Sequence, residues 1–293
     1  MARFSQQLVD GVSAGAIYAA LALALVLVYR TTNLINFAQG ELALLSTYVA
    51  WQLHAWGLPL ATCLLGTVVV AFAAGAGVER LLVRRLERRD QLAAVIVTLG
   101  LYLIVDGLVR VIWGAQVKTL PSIFGSGLVA IGPARVSWDS IGVVAVLAAV
   151  VGALALILYR TRLGLAMRVA ADRPDACALV GVAPQRMFMF GWALAGALGA
   201  LAGTLVAPQL FVSPDMMSGV LVYAFAGAVL GGLDSPLGAI VGGMTIGVVE
   251  NLAGSYVSWI GPDLKVLVAF GAILVVLLVR PQGLFGLRQA VRA

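Results

Sequence analysis

Nine apolar stretches follow one another along this chain, each bounded by charge, Pro or Gly: Gly11 to Tyr29, Leu42 to Trp56, Leu60 to Val83, Leu92 to Trp113, Ile141 to Tyr159, Met187 to Ala207, Met217 to Gly231, Gly238 to Leu252 and Leu264 to Val279. A helix rises about 1.5 Å per residue, so some 20 apolar residues cross a hydrocarbon layer about 30 Å thick. Runs of this size and number commit the chain to lipid as part of its solvent. Composition agrees: 62% of the 293 residues are hydrophobic, 11% are charged, and the mean hydropathy is +1.04. No two-layer core hides that much apolar surface from water. The expected fold is all-α, a polytopic integral membrane protein with 8 to 9 hydrophobic segments, broken or re-entrant helices among them. Leu42 to Trp56, Met217 to Gly231 and Gly238 to Leu252 are short enough for half-helices, which survive where their backbone is buried in protein or lines a cavity. Gly11 to Tyr29 is too long for the apolar core of a signal peptide and reads as a span. Soluble enzymes and nucleic-acid modules are excluded by the same composition.

The formal net charge of +6 is explained by where the charges sit. One loop carries Arg80, Arg84, Arg85, Arg88 and Arg89, and another carries Arg160, Arg162, Arg168, Arg173 and Arg186. Arg30, Arg280, Arg288 and Arg292 fall on the same side, leaving only Arg3, Arg110, Lys118, Arg135 and Lys265 elsewhere. Basic residues are retained on the cytoplasmic side, so the arginine-rich side is expected inside. Nine crossings then put the C-terminus inside and the N-terminus outside; a short segment that fails to cross brings the N-terminus in. Trp51, Trp56, Trp113, Trp138 and Trp259 fall at the opposite ends of the spans, as an aromatic belt places them.

The longest connections, Gly114 to Ser140 outside and Arg160 to Arg186 inside, are too small for a second domain, so residues 1–293 read as one membrane domain. Many of the 34 glycines lie within spans: Gly191, Gly196, Gly199 and Gly203 in one, Gly227 and Gly231 as a GxxxG in another. Their expected use is close packing of the chain's own helices rather than a dimer face.

Catalytic constellations are missing from the sequence. His54 is the only histidine, Cys63 and Cys177 have no close partner, and neither Lys118 nor Lys265 ends a phosphate-binding GxxxxGK[ST] loop. No catalytic residue, metal site or cofactor is expected, and any ATP that drives the protein binds elsewhere.

Polar groups inside apolar spans are costly and are the default functional candidates. The stretch Thr31 to Glu41, with Asn33, Asn36, Gln39 and Glu41, separates the first two spans. It is either a broken helix exposing backbone along a path or a plain inner loop with Glu41 in a first helical turn, where an acid suits the dipole. Asp106 and Arg110, four residues apart, lie on one helix face and read as a mutually neutralising pair, with a path-lining role as the alternative. Glu250 and Asn251 close the eighth span, where snorkelling to water competes with a vestibule role. In the second inner loop, Asp172, Pro174 and Asp175 mark a helix start and Gly181 a stop. The short helix between them, apolar on Ala176, Leu179 and Val180, fits a groove of a partner protein or the surface of anionic lipid.

Five stretches carry a family pattern: Gly15-Ala-Ile-Tyr-Ala-Ala-Leu-Ala-Leu-Ala-Leu; Asn36-Phe-Ala-Gln-Gly-Glu41; Leu163-Gly-Leu-Ala-Met-Arg168 on through Gly181-Val; Val229-Leu-Gly-Gly-Leu-Asp-Ser-Pro-Leu-Gly-Ala239; and Arg280-Pro-Gln-Gly-Leu-Phe-Gly286. In this order, over nearly the whole length, the chain resembles the permease subunits of ABC transporters for branched-chain amino acids. The resemblance implies a transport subunit of an ATP-driven importer in a bacterial inner membrane. Its implied partners are a second, homologous permease, two ATP-binding subunits and a periplasmic or extracellular substrate-binding protein. It also makes the loop at about 160–186 the coupling element, with Arg168, Asp172, Arg173, Asp175, Leu179 and Gly181 facing the ATPase. The substrate path is assigned to Asn33, Asn36, Gln39, Glu41, Asp106 and Glu250. Two departures stand out: Asp234, where relatives commonly have a neutral residue, and Asp106, where a Gln is often found. The family also includes permeases for urea, other amino acids and carboxylates. An ion-coupled secondary transporter or channel is the competing reading, with Asp106 as its mid-span acid. A faint echo between Tyr18-Ala-Ala-Leu-Ala and Tyr223-Ala-Phe-Ala-Gly suits either.

Overall fold

The structure, a computed structural model, describes residues 2–85, 91–125, 127–179, 181–257, 260–261 and 264–286. Each of the nine apolar stretches coincides with a helix. In chain order these are α1 (Ala2–Thr32), α2 (Gln39–Ala55), α3 (Leu60–Leu81), α4 (Gln91–Trp113), α5 (Trp138–Arg160), then, after two shorter helices α6 (Arg162–Asp172) and α7 (Pro174–Leu179), α8 (Pro184–Leu210), α9 (Met216–Gly231), α10 (Pro236–Tyr256) and α11 (Val266–Val279). α1, α3, α4, α5, α8 and α10 are long and apolar enough to cross a membrane, and α9 and α11 are shorter apolar helices. Local chemistry sets several of the starts. The Ser137 and Ser235 hydroxyls accept from the backbone N–H groups of Ser140 and Gly238, and Pro184 and Pro236 occupy first-turn positions where no N–H is needed.

Two elements depart from expectation. The inner loop holds two helices rather than one, because Arg162–Asp172 is itself helical, capped by Thr161 and packed through Gly164, Met167 and Ala170. Asp172 therefore ends a helix instead of starting one, and α7 begins at Pro174. In the outer loop, Leu128–Ile131 and Ala134–Ser137 form an antiparallel hairpin in the register Leu128↔Ser137, turned at Gly132 and Pro133.

α1 and α8 are almost wholly buried at the centre. α3, α4 and α5 each bury only a stripe, such as Cys63, Thr67, Ala71, Gly75 and Glu79 on α3, and leave their remaining Leu, Ile and Val side chains outward for lipid. The span glycines lie in the chain's own helix contacts. Gly227 and Gly231 of α9 meet Gly243 and Gly238 of α10, Gly243 and Gly247 on α10 meet Ala19 and Gly15 of α1, and Gly75 of α3 lies against the Trp192 carbonyl of α8.

The element ends sort into two groups. At the arginine-rich end, Arg84 Nη2 reaches the Gln185 carbonyl at 3.4 Å. There too, Arg30, Arg168, Asp234 and Phe285 line one cavity. Residues 284 and 285 donate backbone hydrogen bonds to the Leu230 and Gly231 carbonyls, folding the segment after α11 back over the end of α9. At the other end, Gln6 bonds the Arg135 backbone, Arg3 bonds the Ser255 carbonyl at 2.9 Å, and Lys118 pairs with Val212. The start of α1 and the segment after α11 thus lie at opposite ends.

Candidate functional site: a polar lane among α2, α4 and α9

The α1–α2 connection is a break within the helix bundle rather than a plain loop. Asn33, in the left-handed region at φ 56°, stops α1. The Asn36 carboxamide oxygen then accepts from the Ala38 N–H at 3.1 Å while its nitrogen donates to Gln39 Oε1 at 3.1 Å, which shapes the entry to α2. Gln39 Nε2 donates to the Ala195 carbonyl of α8 at 3.0 Å. Thr31 packs at Gly191 and Gln39 bonds at Ala195, so α2 starts one turn of α8, about 6 Å, deeper than α1 ends. Asn36, Gln39 and Glu41 are buried there, whereas Asn33 is exposed.

Beyond the break, α2 and α4 run side by side toward the outer end. Trp113 Nε1 donates to Gln52 Oε1 at 2.9 Å, and the Tyr48 and Trp113 rings sit 5.3 Å apart. Asp106 and Arg110 are paired as their spacing predicts, with Arg110 Nε at 2.9 and 3.0 Å from the two carboxylate oxygens. The expected neutral pair is nevertheless a triad, because Arg110 Nη2 also binds Asp215 Oδ1 at 2.8 Å. Asp215 precedes α9, 105 residues away, and nothing local in the sequence links it to α4. Deeper in the same lane lies Glu41, 4% exposed, whose Oε2 has no hydrogen-bond partner. The charges that act on it are those of Asp106, Arg110 and Asp215. The lane therefore runs from Arg110 and Asp215 down past Asp106 to Glu41.

Glu250 and Asn251 do not snorkel. Both are buried: Glu250 accepts from the Tyr18 hydroxyl at 2.9 Å and faces Lys265 Nζ at 3.6 Å, while Asn251 Nδ2 donates to the Gly247 carbonyl. α10 continues to Tyr256, about 9 Å past Glu250, which keeps that carboxylate short of the surface. The two echo tyrosines, Tyr18 and Tyr223, stack at 4.9 Å beside it.

At the arginine-rich end, Arg30, Tyr159, Arg168, Asp172 and Asp234 line a cavity of about 390 Å³. The Arg168 guanidinium stands 5.5 Å from the Tyr159 ring centre. Arg173, Asp175 and Gly181 are exposed, Gly181 at φ 81°. Cys177 turns α7 inward and Leu179 points out, 89% exposed. Val180 and the side chain of Ala176, expected on the same apolar face, lie outside the described residues, as do Arg88 and Arg89 of the first arginine loop. An unforeseen buried acid, Glu79, anchors that loop by accepting from Arg84 at 2.9 and 3.3 Å.

The family described as branched-chain amino acid transport system / permease component matches residues 7–277. The high-affinity branched-chain amino acid transport system permease protein LivH of Escherichia coli (strain K12) is 30% identical over 300 residues, covering 97% of this chain and 96% of that protein. BraD of Pseudomonas aeruginosa, a permease protein of the same kind of system, is 29% identical over 297 residues, again 97% of this chain and 96% of that protein. The nucleoside ABC transporter permease protein NupB of Lactococcus lactis subsp. cremoris is 30% identical over 112 residues, 37% of this chain and 30% of that protein. PsaBC from Streptococcus pneumoniae, solved in complex with Fab, superposes with a TM-score of 0.49 at 14% identity over 95% of this chain and 92% of that one. With a polytopic helical fold and a family match across nearly its whole length, this chain belongs to the branched-chain amino acid transport permease family.

Proposed function

We propose that this chain is one of two permease subunits of an ATP-driven importer in a bacterial inner membrane, carrying a branched-chain amino acid or another amino acid. The observation that carries the reading is the polar lane. Arg110 and Asp106 stay partly open on α4, whose other outward side chains are mostly Leu, Ile and Val, and Asp215 is exposed just before α9. Charges so placed are costly against hydrocarbon and suit a watered path shared with a second permease. Glu41 and Asp106 line the path, and the break forms its floor, with Asn36 and Gln39 buried in it and Asn33 exposed at its edge. Glu250, held between Tyr18 and Lys265, braces the wall behind it. The arginine-rich end and the C-terminus are cytoplasmic, the N-terminus is outside, and residues 1–293 form one membrane domain. The loop at 160–186 docks an ATPase through Arg168, Asp172, Arg173, Asp175, Leu179 and Gly181. Hydrolysis belongs to two separate ATP-binding subunits, and a binding protein outside delivers the substrate.

The test is uptake of labelled leucine, isoleucine and valine into vesicles that contain this chain with its co-expressed partners. Uptake is expected to need ATP on the arginine-rich side and to survive collapse of the ion gradients. Uptake driven by an ion gradient without ATP would replace the importer with an ion-coupled carrier.

A further inference from the structure

We propose that the cavity at the arginine-rich end holds a phosphoethanolamine lipid headgroup, its phosphate on Arg30 and Arg168 and its ammonium on Asp172 and Asp234. The inference stands apart from the substrate path and needs neither the cargo nor the ATPase.

The first ground is the set of charges. Four ionisable side chains line this one cavity of about 390 Å³: Arg30 from the end of α1, Arg168 and Asp172 from α6, and Asp234 from the turn between α9 and α10. Among the described residues none of the four enters an ion pair, and Arg168 Nε is buried without a hydrogen-bond partner. Both signs of charge therefore stand open around a space that falls within the about 300–1,000 Å³ of small-molecule sites. The planar fork of a guanidinium matches phosphate oxygens, whereas an ionised carboxylate only accepts and matches the N–H donors of an ammonium. Two cations and two anions leave the lining with no net charge, so a ligand that carries both signs fits it better than one that is only anionic. Asp234, a departure from the family pattern, acquires a use here.

The second ground is position. The cavity lies where α1 and α5 end and α10 begins, three helices long and apolar enough to cross a membrane, and so at the level of the headgroups on the arginine-rich side. Its remaining wall is apolar and open: Tyr159, Leu165, Val169 and Phe285 all line it and all are exposed. A water-soluble zwitterion would leave that surface wet, whereas a lipid covers it with the first methylenes of its chains. α5 supplies the approach, since it turns most of its surface outward and presents Leu156 one turn before Tyr159. The bound headgroup fills the space between α6 and the ends of α1 and α10. Arg168 and Asp172 then serve the docking loop through the lipid beneath it, while Arg173, Asp175 and Leu179 face outward for an ATPase.

The test is native mass spectrometry of the purified full-length chain in detergent, titrated with dioleoyl phosphatidylethanolamine, phosphatidylcholine or phosphatidylglycerol. The first phosphatidylethanolamine is expected to bind at least about tenfold tighter than the other two, because phosphatidylcholine has no ammonium N–H and phosphatidylglycerol no cation. R168Q should abolish that preference. D172N/D234N, which leaves only the two arginines charged, should turn it toward phosphatidylglycerol. Melting temperatures of the lipid-free variants check their folding, and if R168Q does not fold, D172N/D234N decides alone. Equal binding of the three lipids overturns the site, and tighter binding of phosphatidylglycerol to the parent chain overturns the zwitterion. A preference for phosphatidylethanolamine that survives the variants overturns the assignment to this cavity. Displacement of the lipid by an equal concentration of glycerophosphoethanolamine, which has the headgroup without the chains, overturns the lipid in favour of a soluble ligand. The chain is measured without its ATPase, so the docking reading stands or falls separately, on co-purification.

Discussion

The Tyr18 hydroxyl donates a 2.9 Å hydrogen bond to Glu250, while Lys265 stands 3.6 Å from the other oxygen of the same carboxylate. Three helices are joined there, because Tyr18 lies in α1, Glu250 in α10 and Lys265 immediately before α11. K265M would leave Glu250 with the phenol alone in a buried site. A loss of about 1–3 kcal/mol is expected, less than for a fully enclosed pair because Lys265 is partly open to solvent. The double variant E250Q/K265M should recover much of it. Thermal unfolding in detergent checks this, and strictly additive losses would show that the two groups do not interact.

For the triad, R110L should lower folded yield sharply, since it strips the counter-charge from both Asp106 and Asp215. D106L/R110L should recover much of the yield, because the remaining Asp215 is 78% exposed and sits beside the N-terminus of α9, which favours a negative charge. Fluorescence-detected gel filtration measures both. A double variant as poor as the sum of the singles would show that the charges do more than neutralise one another.

Two glycines on α3 give a matched pair. A methyl group at Gly75 would run into the Trp192 carbonyl oxygen on α8, whereas at Gly77 it would meet nothing within 4 Å. G75A is expected to cost roughly 1–3 kcal/mol through overpacking. G77A should be neutral or slightly stabilising, by up to about 1 kcal/mol of helix propensity. Melting temperatures of the two purified variants decide it, and equal behaviour would place the α3–α8 contact elsewhere.

Leu179 is so exposed that L179D should leave the chain's own melting temperature unchanged. In the proposed docking to an ATPase the same change would bury an unpaired charge in the partner's groove, and the ATPase should no longer co-purify. Retention of the ATPase at normal affinity would move the docking contact to another loop, with the segment after Arg80 next in line.

The order and approximate bounds of the nine apolar helices could be read from the sequence because transfer into lipid sums over adjacent residues, which is a local property. The pairing of Asp106 with Arg110 was legible for the same reason, since it depends on neighbours within one turn, and the helix start near Pro174 was legible in part, Asp172 ending the preceding helix instead. α6 was missed although its buried residues recur at a three-residue spacing, Gly164, Met167 and Ala170, because its mixture of Arg and small apolar residues reads as loop beside the strongly apolar spans. The hairpin at Leu128–Ser137 was missed because two four-residue strands carry little pattern. Other features belong to tertiary structure alone. Asp215 reaches Arg110 across 105 residues, Tyr18 reaches Glu250 across 232, and the packing of the helices buries Glu41 with its Oε2 unpartnered. Hydropathy selects which segments enter the membrane, but the meeting of one polar group with another depends on how the helices pack, and that packing is set by small-residue contacts between segments far apart in the chain.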